Sequence, residues 1–404
     1  VDLLMERPSA TSADLARRAE LVGRAADLVP LLAANAARTD AERRVVDENM
    51  LALQEAGLLS LLRPKRFGGL QTDIRTSIEV QQQLAHGCAS TSWVAGLGNA
   101  STWMVAMFLE QAQEDVWGRD PNNNICAVTS PDEATAQSVK GGGWRVSGRY
   151  RYASGSAHSQ WAIIGVPFLD ASGAMTGTGM GLVPMDELTI EDTWHVAGMR
   201  GTASNTLIAD EVFIPAHRVL SFDEAFSSSA STPYQSIPLY RSSFGALFGL
   251  CLATTPVGVA EAAVDLVVKT VPKRKIPQTN MTQAEATTVQ LLIAKAASLV
   301  DSARLHLYRA TNASDEAAHQ GIDMDIKTRA RNGMDMTAAA RYARDAIRTL
   351  TLAHGSASFA DSSVLQRYWR DCETASSHLA FNDLTIEQYG KTLLDIPLGY
   401  LMQV

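Results

Sequence analysis

The chain has 404 residues, 46% hydrophobic and 19% charged, with a formal charge of −8 at neutral pH. This length exceeds what one hydrophobic core usually holds together, so more than one layer or domain is expected. The acidic balance, with no basic tail or Lys/Arg cluster, argues against nucleic acid and anionic membranes as partners.

The first stretch reads as helical. Asp14 to Asn35, Glu48 to Leu62, Thr76 to Leu84 and Ala89 to Leu109 each carry apolar residues at helical spacing. Arg63-Pro64 and Phe67-Gly68-Gly69 interrupt them, because proline excludes a helical predecessor and glycine favours a turn. Trp93, Trp103, Met104, Met107 and Phe108 make the fourth helix apolar on most sides.

At Asn122-Asn123-Asn124 the pattern changes to strands. Ile125 to Ser130 is short, and Trp144 to Tyr152 alternates, with Trp144, Val146, Gly148, Tyr150 and Tyr152 on one face. Trp161 to Leu169, Gly179 to Pro184, Leu188 to Thr193 and Leu207 to Pro215 follow, separated by Gly-rich turns. A Ser-rich loop then spans 221–236. Helices Ser243 to Val271, Thr282 to Ala310, Ile326 to His354 and Ser362 to Leu394 complete the chain. In the second of these, Val289, Ile293, Ala296, Val300, Ala303 and Leu307 form a seam for lengthwise packing.

The expected architecture is α+β: an N-terminal helical domain over 1–121, a central β-barrel or sandwich over 122–220, the Ser-rich loop, and a four-helix bundle over 237–404. Cys88, Cys126, Cys251 and Cys372 are scattered without metal spacing, which suits a reducing cytoplasm. Neither a signal-peptide order nor an uninterrupted apolar run of the ~20 residues a membrane span needs is found.

Four stretches carry a resemblance over the full length: Gly57 to Gly69, Ser147 to Trp161, Val196 to Pro215 and Arg367 to Gly390. The chain resembles the acyl-CoA dehydrogenase fold. Within it, the chain is similar to the oxygenase components of two-component flavin-dependent monooxygenases of the hydroxyphenylacetate hydroxylase type. The resemblance implies reduced FMN or FAD taken up as a diffusible substrate, and dioxygen activated as a flavin C4a-hydroperoxide. It implies a small aromatic or polycyclic substrate and a homotetramer. No G-x-G-x-x-G fingerprint for a dinucleotide is present, so a separate NAD(P)H:flavin reductase is expected.

The resemblance also assigns residues. Ser154, in A-S-G-S, would bond the flavin N5 edge; His378, in T-A-S-S-H, would take a phenolic proton or stabilise the hydroperoxide. Asp371, Thr374, His378 and Asn382 recur at steps of three and four, which reads as one helical face. Ser130, Trp161, Arg200, Thr202, Ser204 and Arg274 are expected at the flavin, Arg274 from a neighbouring subunit. Trp93, His158, His195 and Asn382 are expected toward the substrate, with bracing of the turn an alternative for His158. Ala203 stands where the family has glycine.

Three other functions compete. An acyl-CoA dehydrogenase needs a carboxylate base, yet the Y-E-G-T-like segment is missing and Arg241 to Gly245 contains no acid; only Glu373 could stand in. An N-oxygenase acting on an amino sugar would need a polar clamp that the pattern does not reveal. A non-catalytic flavin-binding relative would lack productive turnover.

Overall fold

The chain supplies its own first helix cap. Thr11 Oγ1 accepts the Asp14 N–H while the Asp14 carboxylate takes the Thr11 N–H, and α1 (Ser12–Glu42) follows. The computed structural model describes residues 8–170, 172–226 and 232–398. Four more helices complete the first part: α2 (Asp47–Glu55), α3 (Ile74–Ala85), α4 (Ala89–Val105) and α5 (Glu110–Trp117). The second is shorter than expected. Gly57, at φ 74°, closes it with Gly57 N–H to Gln54 O and Leu58 N–H to Leu53 O, so the helix stops before Leu62.

Among the described residues eight strands follow: β1 (Ile125–Val128), β2 (Ala134–Ser138), β3 (Trp144–Ala153), β4 (Trp161–Leu169), β5 (Met175–Pro184), β6 (Thr189–Glu191), β7 (Asn205–Ile214) and β8 (Val219–Ser221). They form two four-stranded sheets, in the orders β1-β4-β5-β8 and β2-β3-β7-β6. β1 runs parallel to β4, whereas every other pairing is antiparallel. β4 shows why the layer is buried on both sides. Ala162, Ile164 and Val166 join Val146, Tyr150, Leu207 and Ile214 in one core, while Trp161 and Ile163 join the helical core. β2 and β8 were not expected, since each is short and shows little alternation.

One register detail aims the chain. Tyr150 pairs with Leu207 and Ala153 with Asn205, so β3 carries one residue more than β7 across that interval. The bulge turns Tyr152 outward at φ 70° and 69% exposure, against the expected inward alternation, and buries Ala153 instead. Ser154 therefore leaves the sheet in a direction that regular alternation would not give.

The chain then becomes helical again: α6 (Phe222–Phe226), α7 (Phe244–Thr270), α8 (Thr287–Gln320), α9 (Ile326–His354), α10 (Val364–Ser376) and α11 (Asp383–Leu393). The expected Ser-rich loop thus opens as a helix, and its residues 227–231 lie outside the described residues, as do 1–7 and 399–404. α7 packs against α3, α4, α8, α9 and α10. With its continuation to Lys273 it is long and apolar enough to cross a bilayer, although Glu261 and Asp265 interrupt its apolar run. Its mean hydropathy is 1.6 over the best window, and 83% of that window is buried in protein. The expected last helix is broken into α10 and α11. His378 caps a short 3-10 turn and Asn382 caps α11, so their side chains hold backbone N–H groups that a continuous helix would use.

Gly165 in β4 lies under the turn that follows β1. A Cβ there would stand 2.4 Å from Thr129 O and 2.8 Å from Pro131 N. Gly165→Ala is expected to destabilise by roughly 1–3 kcal/mol through overpacking, measured by denaturant unfolding; an unchanged midpoint would mean the turn yields freely.

Candidate active site

Two turns from different strand ends meet on α4. The first follows β3 and carries Ser154, Gly155 and Ser156; the second precedes β7 and carries Thr202, Ala203 and Ser204. Gly155 N–H donates to Thr202 O at 2.9 Å, and Ser156 Oγ donates to Ala203 O at 3.1 Å. Gly155 sits at φ 79°, where a Cβ would press on Val94 of α4 at 3.1 Å. Ala203 adopts φ 46° without being glycine, a left-handed conformation that costs an alanine roughly 1 kcal/mol.

Side chains continue the link. Ser154 Oγ lies 2.7 Å from Ser204 Oγ, and Ser204 Oγ 2.7 Å from Thr202 Oγ1. Trp93 Nε1 donates to Ser154 Oγ at 3.2 Å. The Trp93 ring lies 6.3 Å from the His378 ring, which lies 6.3 Å from Phe381. Sequence reasoning placed Ser154, Thr202, Ser204, Trp93 and His378 near one another, and they form one continuous array. Thr202, Ser204 and Trp93 are buried, Ser154 is half-buried, and His378 is open to solvent at its surface.

Of the two roles expected for His378, the geometry suits donation to a negative oxygen better than uptake of a phenolic proton. Its Nδ1 accepts the Ala380 N–H at 3.1 Å, which leaves the ring proton of the neutral imidazole on Nε2. Surrounding protein lowers its pKa through desolvation. The group is therefore a neutral Nε2–H donor at neutral pH, whereas a proton acceptor would need the other tautomer.

Several expected residues are engaged elsewhere. His158 Nε2 pairs with Val45 O at 2.7 Å and burial lowers its pKa, so it braces the turn against the segment before α2. His195 is 65% exposed beside Arg43 and Asp192 on the surface. Asn382 accepts the Thr385 N–H as a helix cap. Arg200 donates to Asp40 O and Val196 O, and Arg274 lies 2.6 Å from His354 Nε2. Trp161 lies in the helical core under the Arg218 guanidinium, 4.9 Å away. Ser130 is exposed on the turn above Gly165. Glu373, the possible dehydrogenase base, is held by Arg348 at 2.5 and 2.8 Å.

A cleft of about 410 Å³ among α1, α3, α7 and α8 is lined by Glu79, Gln82, His86, Glu261 and Asp265 and includes none of the array. Gln82 and His86 already bond Glu261 there.

Comparison with known proteins follows the same division. The acyl-CoA dehydrogenase N-terminal domain matches residues 26–120 and the acyl-CoA dehydrogenase C-terminal domain matches 250–383. The oxygenase component of FADH(2)-dependent resorcinol hydroxylase from Rhizobium sp. (strain MTP-10005) is 33% identical, over 93% of this chain and 94% of that protein. The oxygenase subunit HsaA of the flavin-dependent monooxygenase from Rhodococcus jostii (strain RHA1) is 33% identical over 87% and 92%. The chain belongs to the oxygenase components of flavin-dependent monooxygenases, on the acyl-CoA dehydrogenase fold. Among solved structures, XiaF from Streptomyces sp., in complex with FADH2 and glycerol, superposes with a TM-score of 0.91 at 34% identity, over 96% of this chain and 98% of that one. The 3-HSA hydroxylase from Rhodococcus sp. RHA1 gives 0.89 at 31% identity, over 94% and 98%.

For this family member, sequence reasoning underrated Asp371, which it placed only on the helical face shared with His378. The Asp371 carboxylate accepts the Met199 N–H at 2.6 Å, tying α10 to the turn that carries Thr202 and Ser204. Its neighbour Arg370 binds both oxygens of Asp40, at 2.9 and 2.6 Å, and Ala197 O. The signal available was the position of Asp371 on the apolar-flanked side of its helix, beside Cys372 and Ala375.

Burial raises the Asp371 pKa to about 6, against the Met199 N–H bond, which lowers it. The unfolded carboxyl releases its proton near 3.8, the ordinary aspartate value, so between those values the folded state binds more protons. Stability contributed by this group is thus present below about pH 4 and is lost as pH rises through about 6. Asp371→Asn keeps an acceptor for Met199 and removes the buried charge. It is expected to raise the unfolding free energy relative to the parent more at pH 8 than at pH 4.5, by an amount on the order of 2–3 kcal/mol at the higher pH, measured by denaturant unfolding. Equal effects at both pH values would show that the carboxylate carries no such cost.

Proposed function

We propose that this chain hydroxylates a small aromatic compound, taking reduced flavin from a separate NAD(P)H:flavin reductase and oxygen from solution. The observation that carries the reading is the Trp93 indole, which bonds the Ser154 hydroxyl at one edge and faces the His378 imidazole across 6.3 Å. One wall thus offers a hydroxyl suited to a flavin N5 edge and an N–H donor suited to a phenolic oxygen. Of the relatives named above, the resorcinol hydroxylase is FADH(2)-dependent and XiaF was solved with FADH2, which favours FADH2 over FMN as the flavin.

The donor set fits a reduced isoalloxazine. Ser154 can accept from an N–H at its edge, Gly155 brings the backbone close without a side chain, and Trp93 excludes water behind them. A bound reduced flavin supplies two electrons and activates dioxygen; one oxygen atom enters the aromatic ring and the other leaves as water. In this reading Ser154 holds the N5 proton in place, which retards wasteful release of hydrogen peroxide. His378 donates from Nε2 to the substrate oxygen and stabilises negative charge there, consistent with its lowered pKa and its bond from Ala380.

The chain is further proposed to assemble as a cytoplasmic homotetramer. Leu379, Leu384, Leu393, Leu394 and Ile396 are exposed near the last helix and would be covered by another copy. Arg274 would then reach a flavin phosphate of a neighbouring copy. A monomeric mass by light scattering would remove this part of the proposal.

With photoreduced FAD, oxygen and a phenolic substrate such as resorcinol, the parent is expected to form more hydroxylated product than hydrogen peroxide. Ser154→Ala should shift that ratio toward peroxide by roughly tenfold, the worth of one buried hydrogen bond. His378→Ala should lower product formation by at least as much. Failure of the parent to oxygenate any phenol tried, with all reducing equivalents lost as peroxide, would overturn the reading.

A further inference from the structure

We propose that Thr202 is a positioning residue that sets the direction of a three-hydroxyl chain, so that Ser154 meets a bound flavin as a hydrogen-bond acceptor only. The inference deepens the reading of Ser154 as the flavin N5 contact and rests on it. It assigns Thr202 and Ser204 a different task from the direct flavin contact expected for them.

The direction follows from counting protons. Thr202, Ser204 and Ser154 stand in a row with Oγ···Oγ separations of 2.7 and 2.7 Å. Each end meets a group with only one capability. The Met199 carbonyl, 2.9 Å from Thr202 Oγ1, can only accept, so the single Thr202 proton goes there. The Trp93 indole N–H, 3.2 Å from Ser154 Oγ, can only donate. With the Thr202 proton committed, a hydrogen bond between Thr202 and Ser204 requires the Ser204 proton. The contact between Ser204 and Ser154 then requires the Ser154 proton. The reverse order would leave two oxygens at 2.7 Å with no proton between them. Thr202 is 1% and Ser204 4% exposed, so water does not compete for these protons.

Ser154 is left with one unfilled lone pair and no proton to give. Reduced flavin carries a hydrogen on N5, whereas oxidised flavin presents a bare lone pair there. An acceptor-only hydroxyl matches the first and repels the second. The carbonyl at the root of the chain is itself held in place. Met199 adopts φ 55°, its N–H is bound by Asp371 at 2.6 Å, and its oxygen also accepts Trp194 Nε1 at 2.9 Å.

The test is anaerobic titration of the whole protein with reduced and with oxidised FAD, read as the ratio of the two Kd values. Thr202→Val removes the hydroxyl with little change of shape and frees the Ser204 and Ser154 protons to turn the other way, toward the flavin. The preference for reduced flavin is expected to fall by roughly tenfold, the worth of one hydrogen bond gained by the wrong partner. Thr202→Ser should restore the parent ratio. Ser204→Ala breaks the same chain one step later and should match Thr202→Val, which keeps the test open if the valine variant folds poorly. A parent-like ratio in Thr202→Val or Ser204→Ala, beside a lost preference in Ser154→Ala, would overturn the directed chain and leave the flavin contact standing. A parent-like ratio in Ser154→Ala as well would show that Ser154 does not face N5, and the functional reading would fall with it. Equal loss in Thr202→Ser and Thr202→Val would point to packing and also overturn the proposal.

Discussion

The site depends on one constraint: two turns from opposite ends of β3 and β7 must be held in register against α4. A backbone bond from Gly155 N–H to Thr202 O and a side-chain bond from Ser156 Oγ to Ala203 O close the pair. The bulge at Tyr152 delivers Ser154 to that closure, and Ala203 in a left-handed conformation delivers Ser204. Strain of roughly 1 kcal/mol at Ala203 is small against several buried hydrogen bonds, each of which would be costly to leave unmade.

The clasped turns are in turn fixed to the helical layers by charge. Asp40, near the end of α1, binds Arg370 of α10 and lies near Arg200 of the second turn. Asp371 then holds Met199 from the same helix. The carboxylate of Asp371 is unfavourable in itself, as its raised pKa shows, and it persists where it fixes a backbone N–H that would otherwise be buried without a partner.

His378 shows how local capping changes chemistry. A histidine on a continuous helix would have both ring nitrogens free of the local backbone. Here the helix ends at Ser376, and His378 accepts from Ala380, which assigns its proton to Nε2. The same break converts Asn382 from a residue expected toward the substrate into the cap of α11.

The sequence by itself determined the succession of helices, strands and helices, because period-two and period-3.6 apolar patterns encode which face is buried. Trp161 to Leu169 and Ile326 to His354 were legible to the residue for that reason. The resemblance in the motifs around Ser154, Thr202 and His378 named the array, although not its bonds. What only the tertiary structure decided was direction: the bulge that turns Tyr152 out, the caps that end α10 at Ser376, and the sequence-distant pairs of Trp93 with Ser154 and Asp371 with Met199. The two pairs join residues 61 and 172 positions apart, and local periodicity carries no information about which distant side chain will fill a given hydrogen bond.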